Sequence, residues 1–276
     1  MNLNAARVEL RVRSAIDVLD LAAPLALRSW RVFGPLAAAV LLPAFALCLV
    51  VHYHFGWTWP VVWLLAVGLG PFAQVPFTLA CGELLFSAPR DVRVGPLLRR
   101  SLSRLPAFFV SYVVTRFCHV AGSMVVVLPL FTASWFFVVP EVLLLEKASP
   151  LAALGRSMRA VRGRGGAAFG IGAALLLLAG AGVAAGEVVA NSIVSTVLQL
   201  GQPFGQLLQK GGTPYALAGF FSTVPVIAAA RFLAYTDLRT RKEGWDIQLR
   251  FMAIAAEAES SSRPRGAGEA VRRVVA

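Results

Sequence analysis

Long apolar stretches alternate with short polar stretches along most of this chain. An α-helix needs about 20 apolar residues to cross about 30 Å of hydrocarbon. Within lipid the backbone must satisfy its own hydrogen bonds, so each such stretch is predicted to be helical. Six stretches qualify, at roughly residues 34–51, 61–84, 105–124, 126–145, 167–189 and 216–235. The pattern predicts an all-α integral membrane protein whose six transmembrane helices form three hairpins in one domain, residues 1–256.

A short basic segment with an Arg-Ser pair precedes each predicted hairpin. The pairs are Arg28-Ser29, Arg100-Ser101 and Arg156-Ser157. Around each pair, apolar residues recur at helical spacing along one face of the predicted helix, and the arginines lie on its other faces. The three apolar stripes are Ile16, Leu19, Ala23, Leu27 and Trp30; Leu98, Leu102 and Leu105; and Leu151, Leu154, Met158 and Val161. We predict a threefold internal repeat of a basic amphipathic interfacial helix followed by a hairpin, with the three helices forming a cytoplasmic collar.

Composition agrees with a membrane location. The chain is 58% hydrophobic and 14% charged, whereas a soluble domain carries about a quarter charged residues. The first apolar stretch begins too late for a signal peptide and is predicted to be a retained anchor. Arg far outnumbers Lys, and Ala and Gly are abundant, which indicates a bacterial protein of the inner membrane. The polar end, residues 257–276, has the composition of a disordered cytoplasmic tail.

The net charge of +12 comes from 26 basic and 14 acidic residues. The basic residues precede the first span, separate spans 2 and 3 and spans 4 and 5, and lie at the end of span 6 and after it; only Arg116 and Lys210 fall elsewhere. By the positive-inside rule both termini are cytoplasmic. We interpret the charge as setting topology and contacting anionic headgroups of the bilayer; nucleic-acid binding would require exposed aromatics among the arginines. The headgroup candidates are Arg28, Arg31, Arg93, Arg100, Arg104, Arg156 and Arg159.

Arg116 is the charged residue predicted nearest to the middle of the bilayer. A central arginine costs about 2.5–3.5 kcal/mol on the insertion scale, so it is expected to have a partner or a water path. Glu187, near the outer end of span 5, is the candidate partner. A structural ion pair or a snorkelling anchor is the first interpretation, and a site for an anionic ligand is the second.

Three further charged residues are predicted near the cytoplasmic ends of the spans: Glu83, Glu141 and Arg231. They would form either a salt-bridge network that holds the hairpins together or a proton or ion relay. In span 5, Gly182 and Gly186, like Gly166 and Gly170, are spaced as small-x-x-x-small packing faces.

Catalytic and metal-binding motifs are not recognisable in the sequence. The chain contains no G-x-S-x-G, H-E-x-x-H or P-loop pattern. His52 and His54 have weak metal-ligand spacing and no nearby carboxylate or thiolate. The three cysteines, Cys48, Cys81 and Cys118, are expected to be packing residues. We therefore predict a non-enzymatic protein with no metal and no cofactor.

Two stretches, residues 146–163 and 233–246, resemble bacterial polytopic proteins grouped with the membrane domain of glycerophosphoryl diester phosphodiesterases. The second stretch carries Tyr235, Asp237, Arg239, Arg241, Glu243, Gly244 and Trp245. The resemblance implies the six-span layout over roughly residues 12–250. It does not imply phosphodiesterase activity, because the soluble barrel that gives the group its name is absent from this sequence. Within the motif, Gly244 is placed to end the last helix, and the apolar residues from Trp245 onward could lie back on the membrane or the collar.

The sequence thus favours a non-enzymatic membrane scaffold or accessory protein, with a possible membrane or cytoplasmic protein partner. The alternative is a small-solute or lipid transporter that uses the intramembrane charged residues. A cavity that reaches Arg116 would favour transport, whereas a tightly packed bundle with an exposed groove would favour partner binding. Substrate, partner and oligomeric state are not determined by the sequence.

Overall fold

A computed structural model describes residues 15–85, 92–124 and 128–243, and these residues form helices without strands. The predicted tail and the segment from Gly244 onward lie outside the described residues. A π-helical turn, Ile193–Val197, continues α8. The helices are α1 Ala15–Arg28, α2 Trp30–Tyr53, α3 Trp59–Leu84, α4 Val94–Gly122, α5 Leu128–Trp135, α6 Val139–Leu145, α7 Pro150–Val161, α8 Gly165–Ser192, α9 Leu207–Lys210 and α10 Pro214–Glu243.

Five of these helices, α2, α3, α4, α8 and α10, are long and apolar enough to cross a membrane. The described chain is therefore all-α, as predicted, and its apolar helices are those of a multi-pass membrane protein. In α3 and α10 more than half of the most apolar window is buried, 56% and 61%, against 22% or less in the other three. The bundle is accordingly built around α3 and α10, with α2, α4 and α8 on the outside.

The fourth predicted span, residues 126–145, is not one continuous helix. It contains two short helices, α5 and α6, interrupted at residues 136–138. Its apolar part, Phe131–Leu145, has 15 residues and would reach about 22 Å as a straight helix, less than the hydrocarbon thickness of about 30 Å. Pro140 lies in the first turn of α6, where its missing N–H costs no helical hydrogen bond. Proline thus accounts for where the second helix can begin.

Glycines bring α8 and α10 into close contact. A Cβ at Gly186 would lie 2.6 Å from the Cα of Gly219, and one at Gly182 would lie 3.0 Å from the Gly219 oxygen. Such approach requires residues without side chains, so the predicted packing role of Gly182 and Gly186 is confirmed. The same prediction is wrong for Gly166 and Gly170, because a Cβ there would meet nothing within 4 Å.

The three segments predicted to form the collar differ from one another. The first is α1, separated from α2 only at Ser29, and the third is the separate helix α7. The second is continuous with its span: α4 runs unbroken for 29 residues through Pro106, about 43 Å. The predicted collar of three separate interfacial helices is therefore wrong for this second copy.

Apart from Val161, the fully buried residues of these segments are not those of the predicted apolar stripes. Small or medium side chains are buried, whereas several large apolar residues are exposed. In lipid a large apolar side chain loses little by facing outward, while small residues let helices approach closely. The buried residues are Val18, Ala22 and Ala26 in α1, Leu97 and Ser101 in α4, and Ala153, Ser157 and Val161 in α7. The exposed residues include Ile16, Leu27, Trp30, Leu102, Leu151 and Met158.

Candidate functional site: an intramembrane cavity beside a broken helix

The interruption between α5 and α6 leaves backbone carbonyls without helical partners. The hydroxyl of Ser157, on α7, donates to the carbonyl of Trp135 at 2.6 Å. A guanidinium nitrogen of Arg231, on α10, donates to the carbonyl of Phe137 at 2.5 Å. An unsatisfied carbonyl in lipid would cost several kcal/mol. The break therefore persists because two neighbouring helices supply donors to it.

Arg231 also forms an ion pair with Glu141, the most deeply buried acidic residue described. The two contacts, Nε to Oε1 at 2.8 Å and Nη2 to Oε2 at 3.2 Å, make the pair bidentate. The side chain of Glu141 is 1% exposed and that of Arg231 is 20% exposed. The guanidinium carbon lies 5.1 Å from the centre of the Phe137 ring. Arg231 therefore connects α10 to the break and to α6.

A cavity of about 420 Å³ adjoins the break. Its walls come from α3, α4, the α5–α6 break, α8 and α10, and most of them are apolar. The polar wall residues lie mainly on α3 and α4. They are Gln74, Thr78, Ser111, Tyr112, Thr115, Arg116, His119 and, from α10, Arg231.

Arg116 lies in the cavity wall with its guanidinium carbon 5.0 Å from the centre of the Tyr112 ring. Its side chain is exposed, and among the described residues no carboxylate lies within 4 Å of it. The predicted pair with Glu187 is wrong. Glu187 instead accepts hydrogen bonds from the Leu207 backbone N–H, at 3.1 Å, and from the Thr213 hydroxyl. Glu187 thereby joins α8 to the start of α9 and to Thr213, which precedes α10.

Three hydroxyls and the His119 ring in the wall use their hydrogens within their own helices. The hydroxyls of Ser111 and Thr115 donate to carbonyls of α4 at 2.9 and 2.8 Å, and that of Thr78 donates within α3 at 3.2 Å. Nδ1 of His119 lies 2.6 Å from the Thr115 carbonyl and must carry the proton there, since a carbonyl only accepts. Arg116 is therefore the strongest hydrogen-bond donor that this wall presents to the cavity.

The predicted cluster of Glu83, Glu141 and Arg231 is divided between two places. Glu141 and Arg231 meet at the break, whereas Glu83 pairs with Arg100 at 3.2 Å. The sequence placed all three at similar depth but could not show which helices are neighbours. A single network of these three residues is therefore wrong.

A second pocket, of about 450 Å³, lies where the C-terminal ends of α3 and α10 meet α4 and α7. At its centre Glu146 pairs with Arg156 at 2.7 Å and with Arg239 at 3.2 Å. The Tyr235 hydroxyl donates to the same carboxylate at 2.7 Å. The two stretches that carry the family resemblance are thus joined through Glu146.

The remaining predicted residues are distributed over the surface. Arg28, Arg31, Arg93 and Arg159 are exposed, as is Arg156, whereas Arg100 and Arg104 are partly buried. Asp237 is partly buried on α10. The side chains of Arg241 and Glu243, and all of Gly244 and Trp245, lie outside the described residues.

Sequence reasoning missed Gln74, Tyr112 and His119 as cavity residues and Glu146 as the centre of the second pocket. The position of Tyr112 beside Arg116 could have been predicted, because Tyr112 precedes Arg116 by four residues and so lies on the same helix face. The others depend on which helices are neighbours. Comparison with protein families, curated proteins and solved structures finds no match to this chain. Its function must therefore be argued from the chemistry of these two cavities.

Proposed function

We propose that this protein binds an anionic amphiphile in the intramembrane cavity and acts as a lipid or small-solute transporter. The observation that carries the proposal is Arg116, an arginine in the wall of that cavity with no described carboxylate to neutralise it. A guanidinium presents five donors suited to phosphate and carboxylate oxygens. A headgroup that bears such a group would supply the missing counter-charge.

The walls of the cavity support an amphiphile more than a fully hydrated ion. Phe108, Leu175, Val224 and Ile227 contribute apolar surface around the polar patch. A volume of about 420 Å³ falls in the range of about 300–1,000 Å³ typical of small-molecule sites. A hydrocarbon chain can contact the apolar wall while an anionic head meets Arg116.

The broken helix gives a second reason to favour transport. Phe136, Phe137, Val139 and Pro140, at the break, all contribute to the cavity wall. In many transporters the substrate site is formed by discontinuous helices. A break whose carbonyls are bound by side chains of α7 and α10 can rearrange when those helices move.

A non-enzymatic scaffold or accessory role is the second candidate. It is supported by α7, which presents the exposed apolar residues Leu151 and Met158 together with the exposed Arg156 and Arg159. Such a surface fits anionic headgroups or an acidic partner. The burial of the serine in each Arg-Ser pair, 4% exposure for Ser29, 5% for Ser101 and 0% for Ser157, supports the threefold repeat as a proposal.

The proposed location is a bacterial inner membrane, with six passes and both termini in the cytoplasm. The meeting of Glu83, Arg100, Glu146 and Arg239 at one end of the bundle supports a common side for their helix ends. A cytoplasmic reporter fused after Ala276 is expected to be active, and one inserted in residues 191–213 inactive. Opposite sides for the two termini would mean five passes and would exclude the six-pass topology.

Ligand-dependent stabilisation of the purified protein tests the binding role. Dodecyl phosphate, added to the protein in a neutral detergent, is expected to raise the thermal unfolding midpoint of the unmodified chain by more than that of Arg116→Gln. Arg104→Gln is the matched control, because it removes the same charge from the same helix about three turns away and outside the cavity wall. Equal stabilisation of both variants would refute the proposed site.

Thermal stabilisation that depends on Arg116 would establish binding of the ligand. Transport of the ligand across the membrane is tested by a second measurement. Vesicles that contain the protein are expected to redistribute a fluorescent anionic lipid between leaflets faster than vesicles with Arg116→Gln. Binding with no acceleration by the unmodified chain would favour the accessory role over transport.

A further inference from the structure

The pocket at the end of the bundle concentrates arginines from three separate elements. Arg100 comes from α4, Arg156 from α7 and Arg239 from α10, and all three line the same space of about 450 Å³. Among the described residues, the acidic residues in its wall are Glu83 and Glu146. The lining therefore carries one more positive than negative charge. Like charges brought together from three helices are costly unless an anion accompanies them.

The two glutamates hold the arginines in place without occupying all of their donors. Arg100 and Arg156 each use one guanidinium nitrogen in a bond to a carboxylate, with Glu83 and Glu146 respectively. Their side chains are 40% and 47% exposed. Each guanidinium has five N–H donors. Donors thus remain for a ligand that enters from the open side.

Arg239 and Tyr235 add rigidity to the inner wall. Arg239 donates to the Tyr235 hydroxyl at 2.7 Å, and that hydroxyl donates to Glu146. The side chain of Arg239 is 25% exposed. A bonded inner guanidinium with two more exposed ones at the rim is an arrangement suited to a multivalent oxyanion, whose oxygens accept from several directions.

We propose that this pocket is a binding site for a phosphate group, distinct from the cavity that contains Arg116. A phosphate monoester or diester would offset the excess positive charge of the described lining and accept hydrogen bonds from Arg100 and Arg156. The group could belong to a lipid headgroup at the membrane surface or to a free phosphate-bearing solute. The site does not depend on the transport proposal, since it shares neither Arg116 nor the broken helix.

Calorimetric titration of the full chain with inorganic phosphate, in a neutral detergent, tests the site directly. We expect Arg156→Gln to weaken phosphate binding by about tenfold, the loss of a charge-assisted hydrogen bond. Arg159→Gln is the matched control, because it removes the same charge from α7 outside the pocket. Arg100→Gln is the second variant, on a different helix, and is expected to weaken binding similarly even if Arg156→Gln fails to fold. Arg116→Gln should bind phosphate as the unmodified chain does.

Reconstitution separates the two sources of the phosphate group. In nanodiscs of phosphatidylcholine with and without phosphatidylglycerol, a lipid site predicts a higher unfolding midpoint with phosphatidylglycerol, lost in Arg100→Gln and retained in Arg159→Gln. A site for a free solute predicts phosphate binding with no effect of phosphatidylglycerol. Neither phosphate binding nor a phosphatidylglycerol effect, or equal losses in Arg156→Gln and Arg159→Gln, would overturn the proposal.

Discussion

Two arginines that line the same cavity have opposite surroundings. Arg231 has a bidentate carboxylate partner, a backbone carbonyl and an aromatic ring, and it is 20% exposed. Arg116 has one aromatic ring and no described carboxylate. One guanidinium is satisfied by the protein itself, whereas the other is available to a ligand. An intramembrane charge therefore indicates a binding site only once its partners are known.

The largest effect is expected where the satisfied arginine is removed. Arg231→Leu would leave the Glu141 carboxylate buried without a counter-charge and the Phe137 carbonyl without a donor. We expect the free energy of unfolding, measured by denaturant in mixed micelles, to fall by about 3–5 kcal/mol. Arg31→Leu, at an exposed position of α2, is the control and should have a much smaller effect.

Replacement of both partners separates the ion pair from the backbone contact. The double variant Arg231→Met with Glu141→Met should recover part of the lost stability, because no buried charge remains. Recovery would be incomplete, since the Phe137 carbonyl still lacks its donor. A double variant no more stable than Arg231→Leu would mean that the carboxylate was not the source of the loss.

An intermediate effect is expected at the other side of the break. Ser157→Ala removes the donor to the Trp135 carbonyl from a side chain that is 0% exposed. The expected loss in the free energy of unfolding is about 1 kcal/mol, that of one hydrogen bond. Ser103→Ala, where an exposed hydroxyl bonds its own helix, should change stability less. Equal losses at the two serines would show that the break does not depend on Ser157.

The smallest effect is expected for the unsatisfied arginine. In the absence of ligand, Arg116→Gln should lower the free energy of unfolding by about 0.5 kcal/mol, the value of an exposed cation–π contact. A loss as large as that of Arg231→Leu would show that Arg116 has a structural partner. The contrast between the two arginines would then disappear, and with it the main argument for a ligand.

The broken helix shows why part of the site could not be predicted from the sequence. Residues 126–145 have enough apolar character for a span, and Pro140 alone does not require a break. What sustains the break is a pair of donors, Ser157 and Arg231, that lie 22 and 94 residues away from the carbonyls they bind. Periodicity and hydropathy report on neighbours along the chain and carry no information on such contacts.

The buried faces of the amphipathic segments also could not be predicted from the sequence. In water the large apolar residues of α1 and α7 would be buried, which is what their spacing led us to expect. Leu27 and Leu151 are instead 71% and 76% exposed, while Ala22 and Ser157 are buried. In lipid, an apolar side chain has nearly the same free energy whether it faces the bundle or the hydrocarbon. Close packing between helices therefore decides which face of a helix turns inward.

The sequence by itself determined that this is an all-α protein with several helices of membrane-spanning length, because apolar length and backbone hydrogen bonding are local properties. It also identified Arg116, Glu141 and Arg231 as charged residues within apolar spans, where a charge is costly without a partner. Only the tertiary structure decided that Arg231 is paired, that Arg116 has no carboxylate partner in the described part of the chain, and that Glu146 joins two distant motifs. Pairing depends on which helices lie side by side, and that follows from packing over the whole bundle.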